Sequence, residues 1–183
     1  MKIDHLRMIL SVLLTAFFLL LVLVLTVCHH AVLGVPYVPT PRRVARVMVE
    51  LARICGDELV FDLGAGDGRV LRTAKRMFPD ITAMGYEIVP AVWFFGFLRC
   101  VLTRSGVHLK FGDAFRVDVR MADVIFLYMS PAYMEKFAVK FDRELRPGTF
   151  VVSHTFRFPD RHPIEERRVP LRRGDAKLFL YRW

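Results

Sequence analysis

Asp62, Gly64, Gly66, Gly68 and Glu87 are the residues whose types and spacing promise chemistry. The apolar run Leu59 to Leu63 carries the acid Asp62. It breaks into glycines at alternate positions, Asp62-Leu63-Gly64-Ala65-Gly66-Asp67-Gly68-Arg69, ahead of a helix-prone stretch ending near Met77. Strand, glycine turn and helix in that order present a ligand to backbone amides and to a helix N-terminus. Gly64 and Gly66 lack a Cβ, so the backbone can turn sharply and lie close against what it binds. The spacing is G-x-G-x-G, which differs from the G-x-G-x-x-G of dinucleotide binders. Glu87 closes the next apolar run, where a carboxylate can accept hydrogen bonds from both hydroxyls of a ribose. Asp113 follows a third run; it is either an acceptor for an adenine amino group or a turn-stabilising aspartate after Gly112. Of the polar residues near later run ends, Tyr128 is core or site, Ser130 reads first as a helix cap, and His154 first as a satisfied structural histidine.

Positioning these residues requires strands that end together. The pattern predicts strands at Leu59–Leu63, Ile81–Glu87, Val107–Phe111, Val124–Tyr128 and Thr149–Thr155. Two more are expected near Glu166–Pro170 and Lys177–Arg182, as a hairpin across Arg173-Gly174-Asp175. Helical periodicity fills the gaps. Thr40-Pro41 reads as a cap followed by proline at the first helical position, and the helix after it carries Val44, Val47, Met48, Leu51 and Ile54 as far as Gly56. Pro90 opens a helix to about Arg104. Ser130-Pro131 opens another, with Met134, Phe137, Ala138, Phe141 and Leu145 on one face. Alternating strands and helices predict an α/β fold, a mostly parallel sheet with helices on both faces, over residues 35–183. Ligands of such sheets bind outside the carboxyl ends of the strands.

Residues 1–34 read as a separate anchor and linker. Met8 to Cys28 contains no charged residue and, as a helix, spans roughly the 30 Å of a bilayer core. A secretory signal has a shorter apolar region, and Val27 to Ala31 offers no convincing cleavage site. The run is therefore expected to be one uncleaved transmembrane helix. Arg42, Arg43 and Arg46 after it against Lys2 and Arg7 before it lean slightly toward a cytoplasmic C-terminal portion. A net charge of +9 favours anionic lipid headgroups, nucleic acid or an acidic partner. Cys28, Cys55 and Cys100 are too dispersed for a zinc site or a disulfide framework, and no metal is expected. Arg167, Arg168, Arg172 and Arg173, set among acids, read as a solvated face.

The D-x-G-x-G-x-G pattern resembles the first motif of class I S-adenosylmethionine (SAM) methyltransferases. Tyr37-Val38-Pro39-Thr40-Pro41, Gly85-Tyr86-Glu87 and Gly148 to Phe156 narrow the likeness. Together they resemble the small protein-lysine methyltransferases related to archaeal broad-specificity enzymes and the mitochondrial ATP synthase c-subunit methyltransferase, over about residues 35–160. The resemblance implies a seven-stranded Rossmann-like sheet, SAM as methyl donor and a lysine amine as acceptor. Asp62, Gly64, Ala65, Gly66, Gly68 and Glu87 would then bind SAM, Asp113 would approach the adenine, and Tyr37 and Thr40 would close over the methionine end. The cytosolic supply of SAM also puts the domain on the cytoplasmic side.

One departure bears on the acceptor. Phe126-Leu127-Tyr128-Met129-Ser130-Pro131 stands where many amine and amide methyltransferases carry Asn/Asp-Pro-Pro-Tyr/Phe, which argues against methylation of nucleic-acid bases or glutamine. Transfer from a sulfonium needs a neutral, well-aimed nucleophile more than a strong base. Tyr128 and Ser130 are the candidates to orient a lysine amine. A phospholipid-amine or small-molecule methyltransferase, and a tethered SAM-binding protein without turnover, are the rival readings. Val92 to Leu98 is apolar around nearly its whole circumference, and its outer face, with Trp93 or Phe97, is expected on lipid or on the anchor.

Overall fold

The computed structural model describes residues 2–33, 38–172 and 174–183. Helix α1 (Lys2–Leu33) leads into α2 (Arg42–Leu51), β1 (Leu59–Leu63), α3 (Arg69–Met77), β2 (Thr82–Glu87), α4 (Pro90–Leu102) and β3 (Val107–Phe111). A short 3-10 turn, Ala114–Arg116, precedes β4 (Val124–Leu127), α5 (Pro131–Glu144), β5 (Phe150–His154), β6 (Glu165–Pro170) and β7 (Asp175–Arg182). The seven strands form one sheet in the order β3-β2-β1-β4-β5-β7-β6. β1 to β5 run parallel, and β7 enters antiparallel between β5 and β6. The fold class read from the sequence is the one observed.

Period-two alternation splits the core between the two faces of the sheet. Val60, Val124, Phe126 and Val152 meet Val44, Met48 and Leu51 of α2 and Val70, Leu71 and Ala74 of α3. On the opposite face Phe61, Leu63, Ile125, Leu127 and Val151 meet Met134, Phe137 and Phe141 of α5. Strands buried on both sides are continuous apolar runs, which is why their positions were legible.

Helix ends departed from expectation at three places. Pro41, not Thr40, occupies the cap position of α2, with no side-chain cap. The helix stops at Leu51, short of the expected Gly56, and Arg53 just beyond it takes a left-handed conformation (φ 55°). Ser130 does stand at the N-cap of α5, but its hydroxyl caps nothing, because its own carbonyl receives the Tyr133 and Met134 amides at 3.0 and 3.1 Å. The hairpin lies where expected, although Arg173 at its turn falls outside the described residues. Among its described residues α1 carries a span-length apolar stretch, His5–Val24, none of it buried, which overlaps the expected Met8–Cys28.

Candidate functional site

The strand order reverses between β1 and β4, and a cavity of about 460 Å³ opens at their carboxyl ends. That size suits a small-molecule ligand, and the switch point of a doubly wound sheet is where one binds. Asp62 reaches it from β1 and Glu87 from β2. Asp113 lies beyond β3, Tyr128 and Met129 beyond β4, and Thr40 on the segment before α2.

The glycine turn works differently from the sequence reading. Its amides face the protein instead of the ligand. Gly64 and Ala65 both donate to the Tyr86 carbonyl at 2.9 Å, and Gly68 donates to Ala65 at 2.8 Å. Gly66 donates to Glu87 Oε2 at 2.9 Å, while Val89 donates to Oε1 at 2.8 Å. β2 thus clamps the turn, and Glu87 is a brace as well as a lining residue. Each of its oxygens keeps a lone pair for a further donor. Gly64, Gly66 and Gly68 all sit at positive φ (82°, 57° and 71°). At Gly64 an added Cβ would also collide with the Met129 side chain.

Asp62 is buried, and its carboxyl is pushed up to about 8, first by loss of water and then by the negative charges of Glu87 and Asp67. Asp67 is held by Arg69, Arg72 and Arg99 at 3.3 to 3.4 Å. Arg69 also donates to the Thr40 carbonyl at 2.8 Å, tying the segment before α2 to the turn. Asp113 is the turn-stabilising aspartate of its two readings, and it stands at the cavity; its Oδ1 accepts from the Phe115 amide at 2.9 Å.

Tyr128 lines the cavity with His154 directly behind it, ring centroids 4.0 Å apart. His154 is not the satisfied histidine expected. It is buried, Nδ1 has no hydrogen-bond partner, and burial lowers its pKa to about 4, so the ring is neutral. Ser130 lies just beyond Tyr128 and Met129, outside the cavity lining. Tyr37 lies outside the described residues. No metal-holding cluster of His, Cys, Asp and Glu occurs among the described residues.

Several lining residues escaped the sequence reading. Phe115 stacks on Tyr133 (5.6 Å) and Phe137 (4.3 Å), making an aromatic wall, and Lys136 lies over the Tyr133 ring at 5.5 Å. Tyr133 and Phe137 share a face of α5 by their i, i+4 spacing, a visible signal. That the first turn of α5 overhangs the cavity was not visible. A flat wall and three carboxylates suit a ligand with an aromatic base, hydroxyls and positive charge. SAM has those features, so the residues present fit it.

Comparison with known proteins agrees. Residues 62–165 match the ANTKMT methyltransferase domain family. The chain is 36% identical over 154 residues to a protein-lysine N-methyltransferase of Saccharolobus islandicus, covering 80% of this chain and 92% of that protein. It is 33% identical over 129 residues to the human ATP synthase c-subunit lysine N-methyltransferase, covering 68% of this chain and 53% of that longer protein. Among solved structures, an RNA methyltransferase from Salinibacter ruber in complex with S-adenosyl-L-homocysteine superposes with a TM-score of 0.71 at 32% identity. The match covers 79% of this chain and 93% of that one.

Proposed function

The chain belongs to the ANTKMT methyltransferase domain family and is a SAM-dependent class I methyltransferase, and from that premise we propose that it methylates the side-chain amine of a lysine in a protein substrate while anchored in a membrane. The observation that carries the acceptor is the likeness to the Saccharolobus protein-lysine N-methyltransferase across 92% of that enzyme's length. The anchor rests on the exposed apolar stretch His5–Val24 of α1. The catalytic portion, residues 35–183, faces the cytoplasm, as the arginines after the span suggest.

SAM, when bound, supplies a methyl group activated on a sulfonium. The chain's own residues bind, aim and exclude water. Asp62 offers a carboxylate to positive charge, Glu87 offers its free lone pairs to hydroxyls, and Asp113 offers one to an amino group on the aromatic base. Gly64, Ala65 and Gly66 keep the floor low enough for a ligand to approach, while Gly68 lies outside the lining, against Cys100, Arg72 and Leu109. Thr40, whose carbonyl accepts from Arg69, forms part of the rim. Tyr128 places a phenolic oxygen at the acceptor side, where it can hold a neutral amine by accepting a hydrogen bond from its N–H. His154 stiffens that ring from behind. Ser130, at the α5 cap, is left a structural role. Most of the rate then comes from positioning.

The test is incubation of the full chain with methyl-labelled SAM and membranes, followed by extraction. Label in protein supports the proposal. Label in extracted lipid or in added RNA overturns the acceptor assignment, and SAM binding with no transfer overturns enzymatic turnover.

A further inference from the structure

Helix α4 leaves an apolar face uncovered. Only Gly96 and Cys100 are buried, and Trp93 is turned inward, its Nε1 donating to the Leu109 carbonyl at 3.2 Å. Phe94, Leu98 and Val101 follow one another at i, i+4 and i+7, flanked by Phe95 and Leu102. Their exposures are 50%, 40%, 55%, 62% and 74%, with α1 already in place. Contiguous apolar patches of this kind mark an interaction site.

The occupant follows from what α4 touches. Helix α1 packs against α4. Among the described α1 side chains, Val22 alone is half-buried and the rest are exposed. Val22 lies six residues before Cys28, where the charge-free run Met8–Cys28 ends. If α1 crosses the bilayer, α4 therefore meets it about 9 Å inside the end nearer the domain, in the upper acyl region and not at mid-membrane. Arg99 stands at the edge of the apolar face, half-exposed, where its stem can lie along lipid while the head stays in water. The whole chain carries +9, which draws it to anionic headgroups.

We propose that α4 is a second membrane element, lying in the plane of the interface with Phe94, Phe95, Leu98, Val101 and Leu102 in the upper acyl region of the bilayer. This rests on the reading of α1 as a span. Glu87 is followed within three residues by Pro90, so the first turn of α4 adjoins the cavity. The helix thus fixes how the cavity mouth is held relative to the lipid surface, which a single flexible tether does not.

Full-length protein is reconstituted into phosphatidylcholine vesicles containing phosphatidylglycerol and a lipid with a photoactivatable diazirine near the carbonyl end of its acyl chain. After irradiation, labelled peptides are identified by mass spectrometry. Peptides of α1 and α4 take up label, the α4 peptide at least about tenfold above the α5 peptide carrying exposed Val139, as expected when apolar side chains lie among acyl chains. Leu98→Glu with Val101→Glu, both at exposed positions, removes label from α4 and leaves it on α1. Label on α1 with none on α4 overturns this proposal and keeps the span. Absence from both overturns the span as well. A photo-crosslink joining α4 to a second copy assigns the face to self-association and equally overturns the proposal, as does undiminished α4 labelling in the double variant.

Discussion

Burial and two neighbouring carboxylates hold the Asp62 carboxyl at about 8, far above its ordinary 3.8, and this has two consequences. Between those values the folded chain binds a proton that the unfolded chain has released, so the ligand-free protein loses stability as pH rises through 8. Asp62→Asn removes that loss: its melting temperature should stay flat over the range where the wild type declines. Binding a positively charged ligand beside Asp62 requires the ionised form. Near neutral pH, SAM binding should therefore release a proton, read as a calorimetric heat that changes with the buffer; a heat independent of buffer would contradict it. Glu87→Gln keeps one acceptor and loses the charge, and should weaken SAM binding by about 1.5–3 kcal/mol, the scale of a charged hydrogen bond. Unchanged affinity in the folded variant would remove Glu87 from the site. At the acceptor side, the role proposed for Tyr128 predicts that Tyr128→Phe lowers the transfer rate while SAM affinity stays constant. Asp62 and Glu87 were legible because an acid ending an apolar run is an anomaly that burial alone does not explain. The orphaned Nδ1 of His154 was not legible, because partners are a property of packing and not of sequence.

The glycine turn is the element that most needs its composition. Gly64 combines a left-handed backbone with a Cβ position filled by Met129, so Gly64→Ala should cost about 1–3 kcal/mol in denaturant unfolding, the range for strained backbone. Its destabilisation being near zero would mean that Met129 simply moves aside. Alternate glycines located the turn, yet the direction of its amides was hidden. They point to β2 because Tyr86 and Glu87 present a carbonyl and a carboxylate there, a contact about twenty residues away in the chain that no local pattern encodes. Helix caps failed for a similar reason. Thr40 and Ser130 are good capping types, but a proline follows each: Pro41 itself takes the cap position of α2, and at Ser130 the backbone carbonyl, not the hydroxyl, receives the first amides. α5 was legible along its length because Met134, Phe137 and Phe141 repeat at helical spacing. What it overhangs depends on the sheet.

At the scale of the molecule, two apolar elements stand outside the core: the span-length stretch of α1 and the outer face of α4. The first was plain from uninterrupted hydropathy. The second was visible as an aromatic excess, but the sequence suggested Trp93 and Phe97 as its outer residues. The fold turns Trp93 inward onto Leu109, while Phe97, stacked on it at 5.6 Å, stays exposed beside Phe94 and Phe95. A reporter fused after Trp183 should be active in the cytoplasm, and activity only on the other side would reverse the orientation. The central claim joins the cavity at the β1–β4 switch point to lysine methylation, and one measurement tests both halves. Full-length wild type and Gly66→Val, the latter shown folded by circular dichroism, are incubated with SAM and membranes, and modified residues are located by tandem mass spectrometry. The account predicts methyl-lysine produced by the wild type and absent with Gly66→Val, whose side chain would occupy the ligand's space. Methylation of another residue type, or methyl-lysine formed equally by the folded variant, would contradict it.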